Sequence, residues 1–185
     1  MKFSTKMRLP FLYTAIIAAV IVLDQITKSA AVRYLKPIPT KPLIEDVLHL
    51  TYVTNYGAAF GMLANHRWIF LAISTVSIVL MIAYLFSKQV THPLLGVALS
   101  CVIGGGIGNM IDRTIMGYVV DFVDFMLINF SVFNVSDIFV CVGCALLFLW
   151  LLCFARLDDT KAASASDDDT ANLDESAEDD HASSR

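Results

Sequence analysis

No G-x-S-x-G and no H-E-x-x-H occurs in this 185-residue sequence, and its four histidines, His49, His66, His92 and His181, are scattered. Serine chemistry at a strained nucleophile turn and zinc hydrolysis on a helix both need those constellations, so neither has a foundation here. Cysteine is sparse as well: Cys101, Cys141, Cys144 and Cys153 all lie inside apolar runs. Cys141 and Cys144 form a C-x-x-C, but with no histidine and no second pair nearby they read as small lipid- or core-facing residues, not a metal or redox site. Charged residues make up only 16% against 57% hydrophobic, with mean hydropathy +0.67. That balance excludes an ordinary soluble domain and puts the chain in a membrane. No repeat of fixed period appears. "GGGIGN" at 104 to 109 lacks the strand–turn–helix context of a phosphate loop, so Gly104 and Gly108 read as a small-xxx-small pair that lets two helices approach closely.

What charge there is divides unevenly. Residues 158 to 185 hold 10 of the 17 acids and only Lys161 and Arg185 as bases, with one leucine and no aromatic residue. Such a segment buries too little surface to offset its ordering entropy, so a disordered acidic tail is expected there, after a membrane domain over 1 to 157. Apolar runs measured against the roughly 20 residues a bilayer requires give spans near 11–31, 68–87, 94–111 and 137–155. The expected fold is an all-α membrane protein of four transmembrane helices. Lys2, Lys6 and Arg8 before the first run also suit a signal peptide, but Asp24, Gln25 and Lys28 interrupt the region where cleavage would be prepared, which favours a retained helix. Positive charge is nearly balanced between the two sides. The acid-free basic N-terminus and Lys88 in a short second loop favour both termini in the cytoplasm. "VLHLTYVTN" at 47 to 55 and "YVVDFVDF" at 118 to 125 are rich in β-branched and aromatic residues, which predicts a small sheet on the outer face.

The acids of the membrane domain converge. Asp24, Asp112, Asp121, Asp124 and Asp137 each fall near the outer end of a span or in the segment joining the last two, and the same topology brings Asn55, Asn109, Arg113 and Asn134 to that level. Glu45 and Asp46 read as a solvated turn. Carboxylates crowded into a poorly hydrated place cannot all ionise, because like charge and desolvation both raise carboxyl pKa values. A pair sharing one proton results. Its ionised member takes a proton from water while its protonated member gives one to a carbonyl oxygen, which is aspartic protease chemistry and needs no metal. The plainer reading is that Asp112 pairs with Arg113, and Asp24 with Lys28 one turn later. Another class, a four-span transporter using aspartates as a proton relay, predicts acids spread through the membrane depth, whereas these gather at one level. The residues alone do not choose between Asp121 and Asp124.

"DQITK" at 24–28, "TNYGAAFG" at 54–61, "GGGIGNMIDR" at 104–113, "GYVVDF" at 117–122 and "FNVSD" at 133–137 resemble, in order, the five motif blocks of the lipoprotein signal peptidase (signal peptidase II) family. The resemblance implies a bacterial inner-membrane aspartic protease, with its site near the periplasmic face, that removes signal peptides from prolipoproteins once the lipobox cysteine carries its lipid. It implies Asp121 and Asp137 as the catalytic dyad and Asp24, Asn55, Asn109, Asp112, Arg113 and Asn134 as residues that line or brace the site. Lipidated prolipoprotein and membrane lipid are the implied partners. A monomer without metal, cofactor or nucleic acid is expected. Two positions depart from the family pattern: Tyr56 stands where threonine is common, and Ser136, where alanine is usual, could offer Asp137 a hydrogen bond.

Overall fold

A computed structural model describes residues 5–57, 67–128 and 130–154. Two compact units divide the chain, Met1–Leu147 and Phe148–Arg185. In the second, the described residues continue the last helix and close it with the Phe154 N–H on the Trp150 carbonyl at 2.8 Å. The expected acidic tail at 158–185 lies outside the described residues.

Four helices carry the architecture: α1 (Thr5–Tyr34), α2 (Arg67–Leu85), α3 (Pro93–Ile115) and α4 (Val135–Cys153). α1, α3 and α4 contain stretches long and apolar enough to cross a membrane, Leu9–Tyr34, Pro93–Ile115 and Val135–Cys153, while the apolar part of α2 is the shorter Leu71–Leu85. Three of the four expected spans therefore meet the length requirement. The chain is a membrane-embedded, mostly helical protein. α1 has 30 residues, about 45 Å at 1.5 Å per residue, which exceeds the roughly 30 Å hydrocarbon layer by several turns. Its buried residues, Tyr13, Val20, Asp24, Lys28 and Ala31, recur every three, four or seven positions and so share one face, while Phe11, Val22, Leu23 and Ile26 stand exposed as lipid-facing residues do.

The face of α3 that meets α1 is built from small residues. Gly96, Gly104 and Gly108 sit against Tyr13, Val20 and Asp24 respectively, at multiples of four, with buried Ser100 completing the row. A Cβ on Gly104 would come within 2.8 Å of the Val20 Cβ. Close approach in lipid is driven by such packing, as the small-xxx-small reading of Gly104 and Gly108 expects. On a second face, Gly105 meets α4 at Ser136 and Val140, and Gly143 of α4 meets Ala98 and Val102 in return. α3 is thus the helix the others pack upon.

Three short strands, β1 (Lys41–Ile44), β2 (Leu48–Asn55) and β3 (Val119–Phe125), form an antiparallel sheet in that order. β2 and β3 coincide with the two predicted strand segments. β1 went unread in the sequence because it is four residues long, wholly exposed and interrupted by Pro42, a residue tolerated at a sheet edge. β2 pairs with β3 through Val53 opposite Asp121, Thr54 opposite Val120 and Asn55 opposite Val119. Between α3 and β3, Gly117 takes φ 83°, a left-handed turn conformation that suits glycine. The sheet rests on the end of α1: Val120 and Phe122 pack against Ala31 and Leu35, flanked by Leu50, Tyr52, Tyr118, Val123 and Val135.

Candidate active site

Side chains alternate across a strand, so the burial of Val120 and Phe122 against α1 turns Asp121 to the opposite face. Asp121 is only 2% exposed. Asp124 has the parity of Phe122 and is tied elsewhere, accepting a bond from the Thr51 hydroxyl at 2.8 Å. Strand geometry therefore separates the two acids that the sequence left level.

Asp137 is fixed by the start of α4. Asn134 precedes the first helical residue, and its side-chain oxygen accepts the Asp137 N–H at 3.1 Å, while the Asp137 carboxylate Oδ2 accepts the Asn134 N–H at 3.1 Å. This reciprocal pair is a capping box, in which two otherwise unsatisfied N–H groups find partners, and a carboxylate at that place also suits the positive end of the helix. The same Asn134 donates through Nδ2 to Asp121 Oδ1 at 2.6 Å and to Asn109 Oδ1 at 3.1 Å. One asparagine thus touches both acids. Asn109 Nδ2 donates to Asp137 Oδ1 at 2.8 Å, and Asn55 Nδ2 donates to Asp121 Oδ2 at 3.0 Å. Arg113 donates to the Gly57 carbonyl at 3.1 Å, and the Gly57 N–H returns to Asn55 Oδ1 at 2.9 Å, so the end of β2 is held against α3.

Behind this layer lie the remaining polar residues named from the sequence. Asp24, fully buried, takes an ion pair from Lys28 at 2.9 Å, as the i, i+4 spacing predicts. Asp112 pairs with the same Lys28 at 2.9 Å, and not with adjacent Arg113, which corrects the simpler pairing. Successive helical residues point about 100° apart, so Arg113 turns to the cavity while Asp112 turns to α1. Gln25 joins the cluster, reaching Asp112 Oδ1 at 3.0 Å. Ser136 departs from expectation: its N–H donates to Asp24 Oδ1 at 2.9 Å, but its buried hydroxyl has no partner among the described residues and lies beside Gly108, not on Asp137. Tyr56, the other departure, is half exposed and packs its ring against Tyr118, 5.4 Å between centroids. Lys28 and Gln25 are the residues sequence reasoning undervalued. "DQITK" shows Lys28 beside Asp24, but its second acid lies 84 positions on, across a helix–helix contact.

Both acids open on one cavity of about 470 Å³, whose polar end is Asn55, Asn109, Arg113, Asp121 and Asp137 and whose apolar wall includes Val119, Val132, Phe133, Ile138 and Val142. Burial pushes the Asp121 carboxyl up to about 6 from an ordinary 3.8; bonds from Asn55 and Asn134 and the charge of Lys28 restrain the rise, while the Asp137 charge adds to it. A carboxyl with that value is half protonated near pH 6, beside a second carboxylate whose two oxygens are already oriented by donors.

Apolar helices closing around a carboxylate pair beneath a small sheet define a membrane-embedded enzyme. Two solved chains, each described as a bacterial membrane enzyme structure by the in meso method, share this fold. The first, at 2.3 Å resolution, superposes with TM-score 0.71 at 31% identity over 76% of this chain and 87% of that one. The second, at 1.9 Å, gives 0.70 at 30% over 78% and 94%. The lipoprotein signal peptidase of Brevibacillus brevis is 46% identical over 137 residues, 74% of this chain and 92% of that protein. That of Caldanaerobacter subterraneus is 47% identical over 132 residues, 71% and 90%. The sequence model of signal peptidase (SPase) II matches residues 16–153, and the chain belongs to that peptidase family.

Proposed function

We propose that this protein is an aspartic endopeptidase of the bacterial inner membrane that removes signal peptides from diacylglyceryl-modified prolipoproteins, cutting before the lipidated cysteine, with Asp121 and Asp137 as the catalytic dyad. The observation that carries the reading is the meeting of two carboxylates from separate elements at one largely apolar cavity, both held by Asn134. Asp121, with its pKa raised by burial, supplies the proton for the scissile carbonyl oxygen; Asp137 accepts the proton of the attacking water. The tetrahedral intermediate then collapses as the proton held by Asp137 passes to the leaving amine, and Asp121 regains the one it gave. Asn55, Asn109 and Arg113 line the cavity with donors and acceptors suited to a peptide backbone, and the apolar wall suits a lipid-bearing residue approaching from the bilayer.

The same reading takes α2 as a fourth span, since its 19 residues equal those of α4. It places both termini in the cytoplasm, the site near the periplasmic face and the working unit as a monomer. The membrane domain ends at 157 and the acidic tail plays no part in the reaction.

The test is to incubate purified protein in detergent with a diacylglyceryl-modified prolipoprotein and look for the shortened product. Cleavage by wild type is expected, with Asp121→Asn and Asp137→Asn each slower by several orders of magnitude and the double variant little worse, because groups acting as a unit are non-additive. Near-normal turnover in both single variants would refute the aspartic mechanism. The unlipidated precursor should resist cleavage, and equal rates for the two forms would refute the lipid requirement.

A further inference from the structure

Lys28 lies within the membrane-embedded fold, 3% exposed, with its ammonium group on three acceptors: Asp24 at 2.9 Å, Asp112 at 2.9 Å and Asn109 Oδ1 at 2.8 Å. An ammonium has three protons, so all are used. What the acceptors hold in turn is unequal to mere neutralisation. Asp24 Oδ1 accepts the N–H of Ser136, the residue immediately before Asp137, at 2.9 Å. Asp112 Oδ2 accepts the N–H of Val120, the residue immediately before Asp121, at 3.2 Å. The third partner, Asn109, accepts from Lys28 and from Asn134 on its oxygen, which commits its NH₂ group to Asp137 at 2.8 Å and forbids the flipped amide. A single cation therefore joins the backbone anchors of both dyad residues and orients a donor on one of them.

From this geometry we infer that Lys28 is a positioning residue for peptide cleavage, whose bridge between Asp24 and Asp112 sets the spacing of Asp121 and Asp137 and whose bond to Asn109 aims that amide at Asp137. The inference rests on the dyad reading above. Lys28 does not line the catalytic cavity, so it touches no substrate there. A misplacement of about 1 Å between reacting groups costs about 10²-fold in rate, so loss of the bridge acts on kcat and leaves KM in place. A second cavity, about 190 Å³, reaches Lys28 from another side, past Gln25, Ser29 and Val32. That opening gives an experimental entry to the bridge.

Two variants test the inference, each measured for folding by thermal unfolding in detergent and for kcat and KM on the lipidated precursor. Lys28→Met combined with Asp24→Asn and Asp112→Asn removes every charge of the cluster together, leaves no unpaired ion, and keeps oxygens that accept from Ser136 and Val120. It is expected to fold, to lose about 10²-fold in kcat and to change KM by less than about threefold. Lys28→Ala is expected to lose as much and to recover at least about tenfold of its loss with propylammonium, which replaces the missing arm through the second cavity, but not with tetramethylammonium, which has no N–H to donate. Wild-type kcat in the folded triple variant overturns the inference, and so does an absence of propylammonium rescue in folded Lys28→Ala. Failure of both variants to fold assigns Lys28 to stability alone and overturns it too. Turnover retained by Asp121→Asn and Asp137→Asn would instead remove the dyad itself, a separate result from a separate pair of proteins.

Discussion

Asp121 and Asp124 stand three residues apart in one strand, and the physics that separates them is the parity of a β-strand. Val120 and Phe122 are wanted by the apolar end of α1, so Asp121 faces the cavity and Asp124 the Thr51 hydroxyl. Asp124→Asn should accordingly be far milder than Asp121→Asn in the cleavage assay. Protonation of Asp121 has a definite pH consequence. Its carboxyl holds its proton up to about 6, against 3.8 ordinarily, so the preference it gives the folded state is complete below 3.8 and is lost as pH rises through about 6. A cleavage rate that needs the protonated form falls across the same upper boundary. The Asn55 amide favours the charged form, and Asn55→Ala should therefore move that limb of the normalised rate profile to higher pH. An unmoved or lowered limb would contradict the assignment of the limb to Asp121. The buried Ser136 hydroxyl makes the opposite kind of prediction. With no partner among the described residues it costs desolvation without return, so Ser136→Ala should raise stability by about 1 kcal/mol, read as a higher unfolding midpoint in detergent.

At the scale of the element, the sequence is most legible where one local rule acts alone. Apolar length announces the helices, and their bounds fall within a few residues of the expected spans except for α1, which the structure extends from 11–31 to Thr5–Tyr34 because polar residues near both ends still form helix. β-branched and aromatic enrichment announces β2 and β3, whereas β1 has too few residues to carry a pattern. The glycine row of α3 is legible as a packing face, although which helix it meets is not. What stays hidden is pairing across elements: the partner of Asp112 could not be told from chain proximity, since Arg113 is its neighbour in sequence and Lys28 its neighbour in space. The capping box of Asn134 and Asp137 is the instructive case, being visible in "FNVSD" as a helix start and yet also holding Asp121. Asn134→Ala should thus cost more in turnover than the roughly 1 kcal/mol a lost cap removes from stability. Asn134→Ser, which preserves a cap but not the reach to Asp121, should regain most of the unfolding midpoint and little of the rate.

At the scale of the whole molecule, the proposed boundary at 157 predicts that truncation after Leu157 leaves membrane yield intact and cleavage within a few-fold of full length; loss of all activity in a normally expressed truncate would place the boundary elsewhere. The proposed orientation predicts that a periplasm-dependent reporter is active when inserted near Glu45 and silent when fused after Arg185, with the reverse pattern overturning it. The hydrogen bond from the Ser136 N–H to Asp24 Oδ1 closes a loop of 112 residues. On the ribosome, α1, the sheet and α3 are all complete before residues 134 to 137 are made, so a nascent chain carries Asp121 with neither Asn134 nor Asp137 beside it. Under the proposed dyad, the reactive pair is complete only with the final helix, and a message cut short in the preceding segment is expected to yield inert membrane protein, not a protease without its restraints.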